Sequence, residues 1–259
     1  MTRWESEDDH IDMRARAAVA ELDAMQGSTR HLLELAHMQA ESGDVLEALT
    51  SYRAATLREP QSVAAHVGAA LEALEYSLLA PTPDARRLRI GIALDHASSA
   101  MALDPAASRA HSALARVLAE RSRIARGGTR GAAMHTILES YAHARRAIDL
   151  DAGNADAHDF VAARAVDWWG VGRIARAAAR VLLGAGDLDA TPLAHAVAHA
   201  NTAVSLDPRC LRYRLTRARA LRLVGNLPGA QREVDLIRAT HPVRPSEVAA
   251  QRTVAVRAG

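Results

Sequence analysis

Apolar residues along this chain recur at helical three- and four-residue intervals, and no run shows the two-residue alternation of a half-buried strand. The expected fold class is all-α. The helical runs also stop in a recurring way. Four end as Ala55-Thr-Leu-Arg-Glu-Pro60, Ala100-Met-Ala-Leu-Asp-Pro105, Ala147-Ile-Asp-Leu-Asp-Ala152 and Ala203-Val-Ser-Leu-Asp-Pro208. A fifth, Ile237-Arg-Ala-Thr-His-Pro242, keeps the apolar residue and the proline. Each reads as a helix closed by Asp-Pro or its equivalent, because proline lacks the amide that a helix interior needs. Thr82-Pro83 and Thr191-Pro192 look like an N-cap followed by proline at the first helical position, which predicts helices over 83–103 and 192–206. Gly170 and Gly172 interrupt another helix, and an extra one is expected to follow as far as Leu183. A glycine-rich turn is expected at Gly127–Gly131.

The endings mark a repeat. In the first unit Leu32, Leu35, Ala36, Gly43, Ala48, Tyr52, Ala55 and Pro60 fall on the signature positions of the tetratricopeptide repeat, a helix–turn–helix of about 34 residues. In the last, Ala218, Leu221, Gly225, Ala230, Val234 and Pro242 do the same. The alanines are small where paired helices must touch, and Gly43 and Gly225 sit where a positive φ is cheap only for glycine. The chain therefore resembles a tetratricopeptide-like right-handed helical solenoid of about five units. The middle endings fall 45, 47 and 56 residues after the preceding one, so these three units are lengthened. The expected units are 29–62, 63–107, 108–154, 155–210 and 211–244, with capping helices at 8–26 and 246–257.

A closer resemblance runs from about Leu88 to Arg252, where the layout is similar to bacterial relatives of the regulator of microtubule dynamics family. It rests on Tyr141–Asp151, Asn154–His158, a helix containing Trp168, the segment Ile174–Gly184, Asp207-Pro208, Gly225–Ala230 and Pro242–Pro245. The resemblance implies lengthened tetratricopeptide-like units and an adaptor without catalysis.

Composition adds a few limits. All 32 basic residues are arginine, which with the alanine content suggests a GC-rich bacterial genome, and the net charge is only +2. Attraction to nucleic acid or to a membrane would need a local patch. The lone Cys210 and the polar, acidic Met1–His10 segment lead to an expected cytoplasmic location without a secretory signal. No apolar run approaches the length of a membrane span.

Candidate chemistry reduces mostly to packing. His66, His111 and His158 each follow a helix ending by six residues and are read as packing histidines hydrogen-bonded locally. His195 and His199 share a helix face but lack the glutamate of a zinc-protease motif and a third ligand, so no metal or cofactor is expected. Asp149–Asn154 has its glycine one place early for a calcium loop and reads as a helix stop and N-cap. Gly127–Gly131 lacks the Lys-Ser/Thr of a phosphate loop, and Gly170-Val-Gly172 lacks a third glycine. At most one of Trp168 and Trp169 is expected to be fully buried, and Cys210 is expected to be a packed thiol.

The tetratricopeptide resemblance implies a partner-binding face on the first helix of each unit. It selects Arg109 and Arg116, then Asp156, Asp159 and Asp167, then Arg212, Arg219 and Arg222, a basic, acidic, basic run. The Lys and Asn of the family's carboxylate clamp are absent. Five arginines between Arg212 and Arg222 repel one another unless something anionic is near. The expected function is a non-catalytic adaptor or scaffold that holds a protein or peptide, with self-association compatible. Nucleic-acid or polyanion binding through 212–222 is the alternative, and a metal-dependent enzyme a third.

Overall fold

The computed structural model describes residues 5–24, 28–125, 130–189 and 192–256, and every regular element among them is a helix. The chain divides into two compact units, Met1–Val117 with Val243–Pro245, and Leu118–Pro242 with Ser246–Gly259.

The first unit holds α1 (Glu5–Ala24), α2 (Thr29–Ser42), α3 (Val45–Arg58), α4 (Val63–Ser77), α5 (Pro83–Leu103) and the first part of α6 (Ser108–Ile124). Helices α2 and α3 form one hairpin and α4 and α5 another, while α1 lies on α3. Gly43 turns the first hairpin at φ 87°, and the amides of Gly43 and Asp44 reach back to the carbonyls of Ala40 and Gln39. That is a Schellman stop. A methyl at Gly43 would also collide with the Val243 carbonyl oxygen, so both the turn and the space require glycine. Ala36 and Ala48 are fully buried, as close helix contact demands. Between α3 and α4 the fit is tighter still: the Tyr52 ring lies where a side chain on Gly68 would be.

The second unit holds the rest of α6, then α7 (Arg130–Leu150), α8 (Ala155–Trp169), α9 (Arg173–Leu183), α10 (Gly186–Asp189), α11 (Leu193–Leu206), α12 (Leu211–Leu223), α13 (Leu227–Ala239) and α14 (Pro245–Val256). Its centre is α8, packed against α7, α11 and α12, with α13 paired to α12. Ala162, Ala165, Val166, Ala196, Ala200 and Ala220 form one shared core cluster across α8, α11 and α12. Gly225, at φ 79°, repeats the Gly43 stop, and the Asn226 side chain then caps α13 by accepting from Gly229 N at 3.0 Å.

Lengthening takes two forms. Helices α5 and α7 each run 21 residues against 14 for α3, so there the added residues extend a helix. Between α8 and α11 they build new elements, α9 and α10. Thr82 caps α5 through Ala85 N and Asn154 caps α8 through Ala157 N, as expected. Helix α1 spans Glu5–Ala24 where 8–26 was expected; residues 25 and 26, like Thr191, lie outside the described residues. Pro192 precedes α11 instead of opening it, because helical geometry begins at Leu193. Gly127–Thr129 also lie outside the described residues, and the chain is already helical at Arg130 and Gly131.

Candidate functional site

Residues 156, 159 and 167 lie on one stripe of α8, and 212 and 219 on one stripe of α12. Because the two helices pack together, the stripes meet. Arg212 donates to Asp159 at 2.6 Å and to Asp156, and the Tyr213 hydroxyl donates to Asp156 at 2.9 Å. Arg219 pairs with Asp167. Asp159 is buried, so Arg212 forms the core of this network. Burial alone would lower the Arg212 pKa, yet Asp159 and Asp156 hold it well above its ordinary value. Burial, then Asp156, raises that of Tyr213.

The opposite side of α12 is satisfied by a different acid. Arg214 and Arg217, three residues apart, both reach the buried Glu233 of α13. Four of the five arginines in 212–222 thus find their anion within the unit. Arg222 is exposed, and among the described residues no ion pair involves it.

In the first unit Arg116 lies 3.4 Å from the buried Glu75, and Arg109 is exposed at the start of α6. Another arginine, Arg244, which sequence reasoning did not single out, makes two 2.9 Å contacts with Glu72 and donates to the Ala40 carbonyl at 2.8 Å. Burial raises the Glu72 pKa, and Arg244 works against that rise.

The histidines pack as expected and do something further. Nε2 of His66, His111 and His158 lies 3.1, 3.0 and 3.0 Å from the carbonyls of Pro60, Pro105 and Ala152. A carbonyl can only accept, so each Nε2 carries the proton. In neutral rings Nδ1 of His66 and His158 must then accept, and their partners are Nδ1 of His96 at 3.1 Å and of His199 at 2.8 Å. His199 is therefore engaged with His158. Among the described residues no three His, Cys, Asp or Glu side chains gather as metal ligands would. Cys210 is a packed thiol, pushed up to about 11 chiefly by burial. Trp168 is buried and Trp169 half-buried.

Clefts open among the described residues of the second unit, and two of them bear on binding. One, of about 220 Å³, lies among α7, α8 and α11 and includes Tyr141, Arg145, Asp149, His195 and His199. The larger, about 390 Å³, lies among α12, α13 and α14. Leu215, Leu227 and Val234 give it an apolar surface, and Arg219, Arg222 and Arg238 rim it. Of these, only Arg219 and Arg222 were singled out from the sequence as partner-binding, and Val234 only as a position of the repeat. Leu227 and Arg238 lie within quoted motifs, but nothing in those motifs marks them for binding, and only the packing of α13 and α14 brings them to the rim.

No family model and no curated protein sequence matches the chain. Among solved structures, TTC0263, a thermophilic tetratricopeptide-repeat protein of Thermus thermophilus, aligns with a TM-score of 0.58 at 17 % identity, covering 88 % of this chain and 98 % of its own. YrrB, a tetratricopeptide-repeat protein with an unusual peptide-binding site, aligns at a TM-score of 0.41 and 13 % identity over 94 % of this chain and 98 % of its own, too distant to carry an argument. The all-helical repeat fold is thus of the tetratricopeptide type.

Proposed function

We propose that the protein is a non-catalytic adaptor that binds a peptide segment of a partner protein in the cleft formed by α12, α13 and α14. The observation that carries this reading is the combination of an apolar lining with an arginine rim in a cleft large enough for a few side chains. An aliphatic side chain would fill the space beside Leu215 and Val234, and a neighbouring carboxylate would meet Arg222. Arg212, Asp156, Asp159 and Asp167 then hold α12 in place against α8. Arg109, exposed at the start of α6, is assigned to partner contact on the first unit, where Arg116 pairs with Glu75. The peptide-binding site named for YrrB belongs to that protein, and the likeness to the regulator of microtubule dynamics relatives adds only the expectation of an adaptor.

The nucleic-acid reading loses its main support, because four of the five arginines between 212 and 222 already have carboxylate partners. The adaptor reading is tested by selection from a random peptide display library on the intact protein. Enriched peptides are expected to share a Leu, Ile or Val flanked by Asp or Glu, and to lose binding to the Arg222→Glu variant. Peptides without acidic residues, or peptides that bind that variant undiminished, would refute the assignment.

A further inference from the structure

Helix α9 lies the wrong way round for a helix of a globular core. Arg176, Ala179 and Leu183 are its half-buried residues, while Ile174 is 89 % exposed and Val181 and Leu182 are 77 % exposed. Positions 174, 178, 181 and 182 follow the spacing of one helix face, so an apolar face of Ile174, Ala178, Val181 and Leu182 points away from the protein. None of the helix's eleven residues is buried, and its packing is against α7 and α10.

Its charge is equally one-sided. Between Trp168 and Gly186 the chain carries Arg173, Arg176 and Arg180 and no acidic residue. Arg176 turns inward, with its guanidinium 4.2 Å from the Trp169 ring centre and a 3.3 Å hydrogen bond to the Trp169 carbonyl. Arg173 and Arg180, seven residues apart, stand on one flank of the apolar face.

We propose that α9 docks on the surface of a membrane that contains anionic phospholipid. Ile174, Val181 and Leu182 enter the boundary between headgroups and acyl chains, and Arg173 lies at the headgroup phosphates, on the flank it shares with Arg180. The helix lies in the interface and does not span it: no helix among the described residues is long and apolar enough to cross a membrane. Two features favour lipid over protein. A solitary outward helix has no second wall to make a groove for a partner helix, whereas a bilayer surface needs none. In an antiparallel pairing with a second copy, the arginine flanks of both helices would fall on the same side and repel. Three large aliphatic side chains make the attachment weak and reversible, so anionic lipid is required for it.

The test is flotation of the intact protein with vesicles of equal parts phosphatidylglycerol and phosphatidylcholine, and with phosphatidylcholine alone. Flotation is expected only with the anionic vesicles, to be reversed by salt, and to fall at least about tenfold in the Ile174→Asp/Leu182→Asp double variant. Both changes sit on solvent, so the variant should keep its wild-type circular dichroism and melting temperature. Absence of flotation with the anionic vesicles overturns the proposal, as does flotation unchanged in the double variant. A wild-type dimer that Ile174→Asp converts to monomer, without vesicle binding, assigns the face to a second copy and overturns it too.

Discussion

Each of His66, His111 and His158 turns its Nε2 back to the carbonyl at the preceding helix stop, six residues earlier. The spacing in the sequence shows that bond because it is local. The second bond is not local. His96 and His199 sit 30 and 41 residues from their partners, and only the packing of α4 on α5 and α8 on α11 brings them there. Burial first, then the facing histidine, lowers both to about 4 from the ordinary 6.5, with Arg53 adding to the effect at His96, and His195 and Arg145 at His199. These rings bind protons more readily in the unfolded chain, so their stabilisation is full above about pH 6.5 and is lost as pH falls toward about 4. The melting temperature should therefore drop across that window, and the His96→Gln/His199→Gln variant should show a shallower drop. An identical drop in the variant would mean that the pairs do not titrate as described. The Arg212 network has the same origin in distant residues. Asp159→Ala, leaving Arg212 with Asp156 alone, should cost about 3 kcal/mol in urea unfolding; a loss within about 0.5 kcal/mol would show that the pair is not a structural one.

At the scale of elements, most helices were legible because their ends carry the signal. Thr82-Pro83 opens α5, Asn154 opens α8, and Gly43 and Gly225 close α2 and α12 at positive φ. The break at Gly170 and Gly172 made an added helix ending at Leu183 legible, but what α5 and α9 pack against was not, since both keep helical periodicity. The apolar face of α9 could be read from its spacing, but its outward direction could not. Helix contacts bring their own constraint at Gly68. Alanine is ordinarily the better helix residue by about 1 kcal/mol. Here its methyl would fall on the edge of the Tyr52 ring, so the ring or the helix must move. Gly68→Ala should lower stability by about 1–3 kcal/mol, and Tyr52→Leu in the same chain should recover part of it. A stabilised Gly68→Ala protein would show that α3 and α4 do not approach so closely.

For the whole molecule, the charge distribution is where sequence and structure diverge most usefully. Arg212–Arg222 reads along the chain as a cationic run in search of an anion. Folded, α8 supplies Asp156, Asp159 and Asp167, α13 supplies Glu233, and Arg222 remains exposed beside an apolar cleft. The sequence contained both sets of charges, but their pairing depends on which helices neighbour α12. What remains available is a narrower surface than the full run, one suited to aliphatic and acidic side chains together. The adaptor reading stands or falls on that surface. Its most direct measurement is titration calorimetry of a library-selected acidic–aliphatic peptide against the wild-type protein, Arg222→Glu and Leu227→Asp. Each variant should bind at least about tenfold more weakly, the equivalent of about 1.4 kcal/mol, while unfolding at the wild-type temperature. Wild-type affinity in both folded variants would contradict the account.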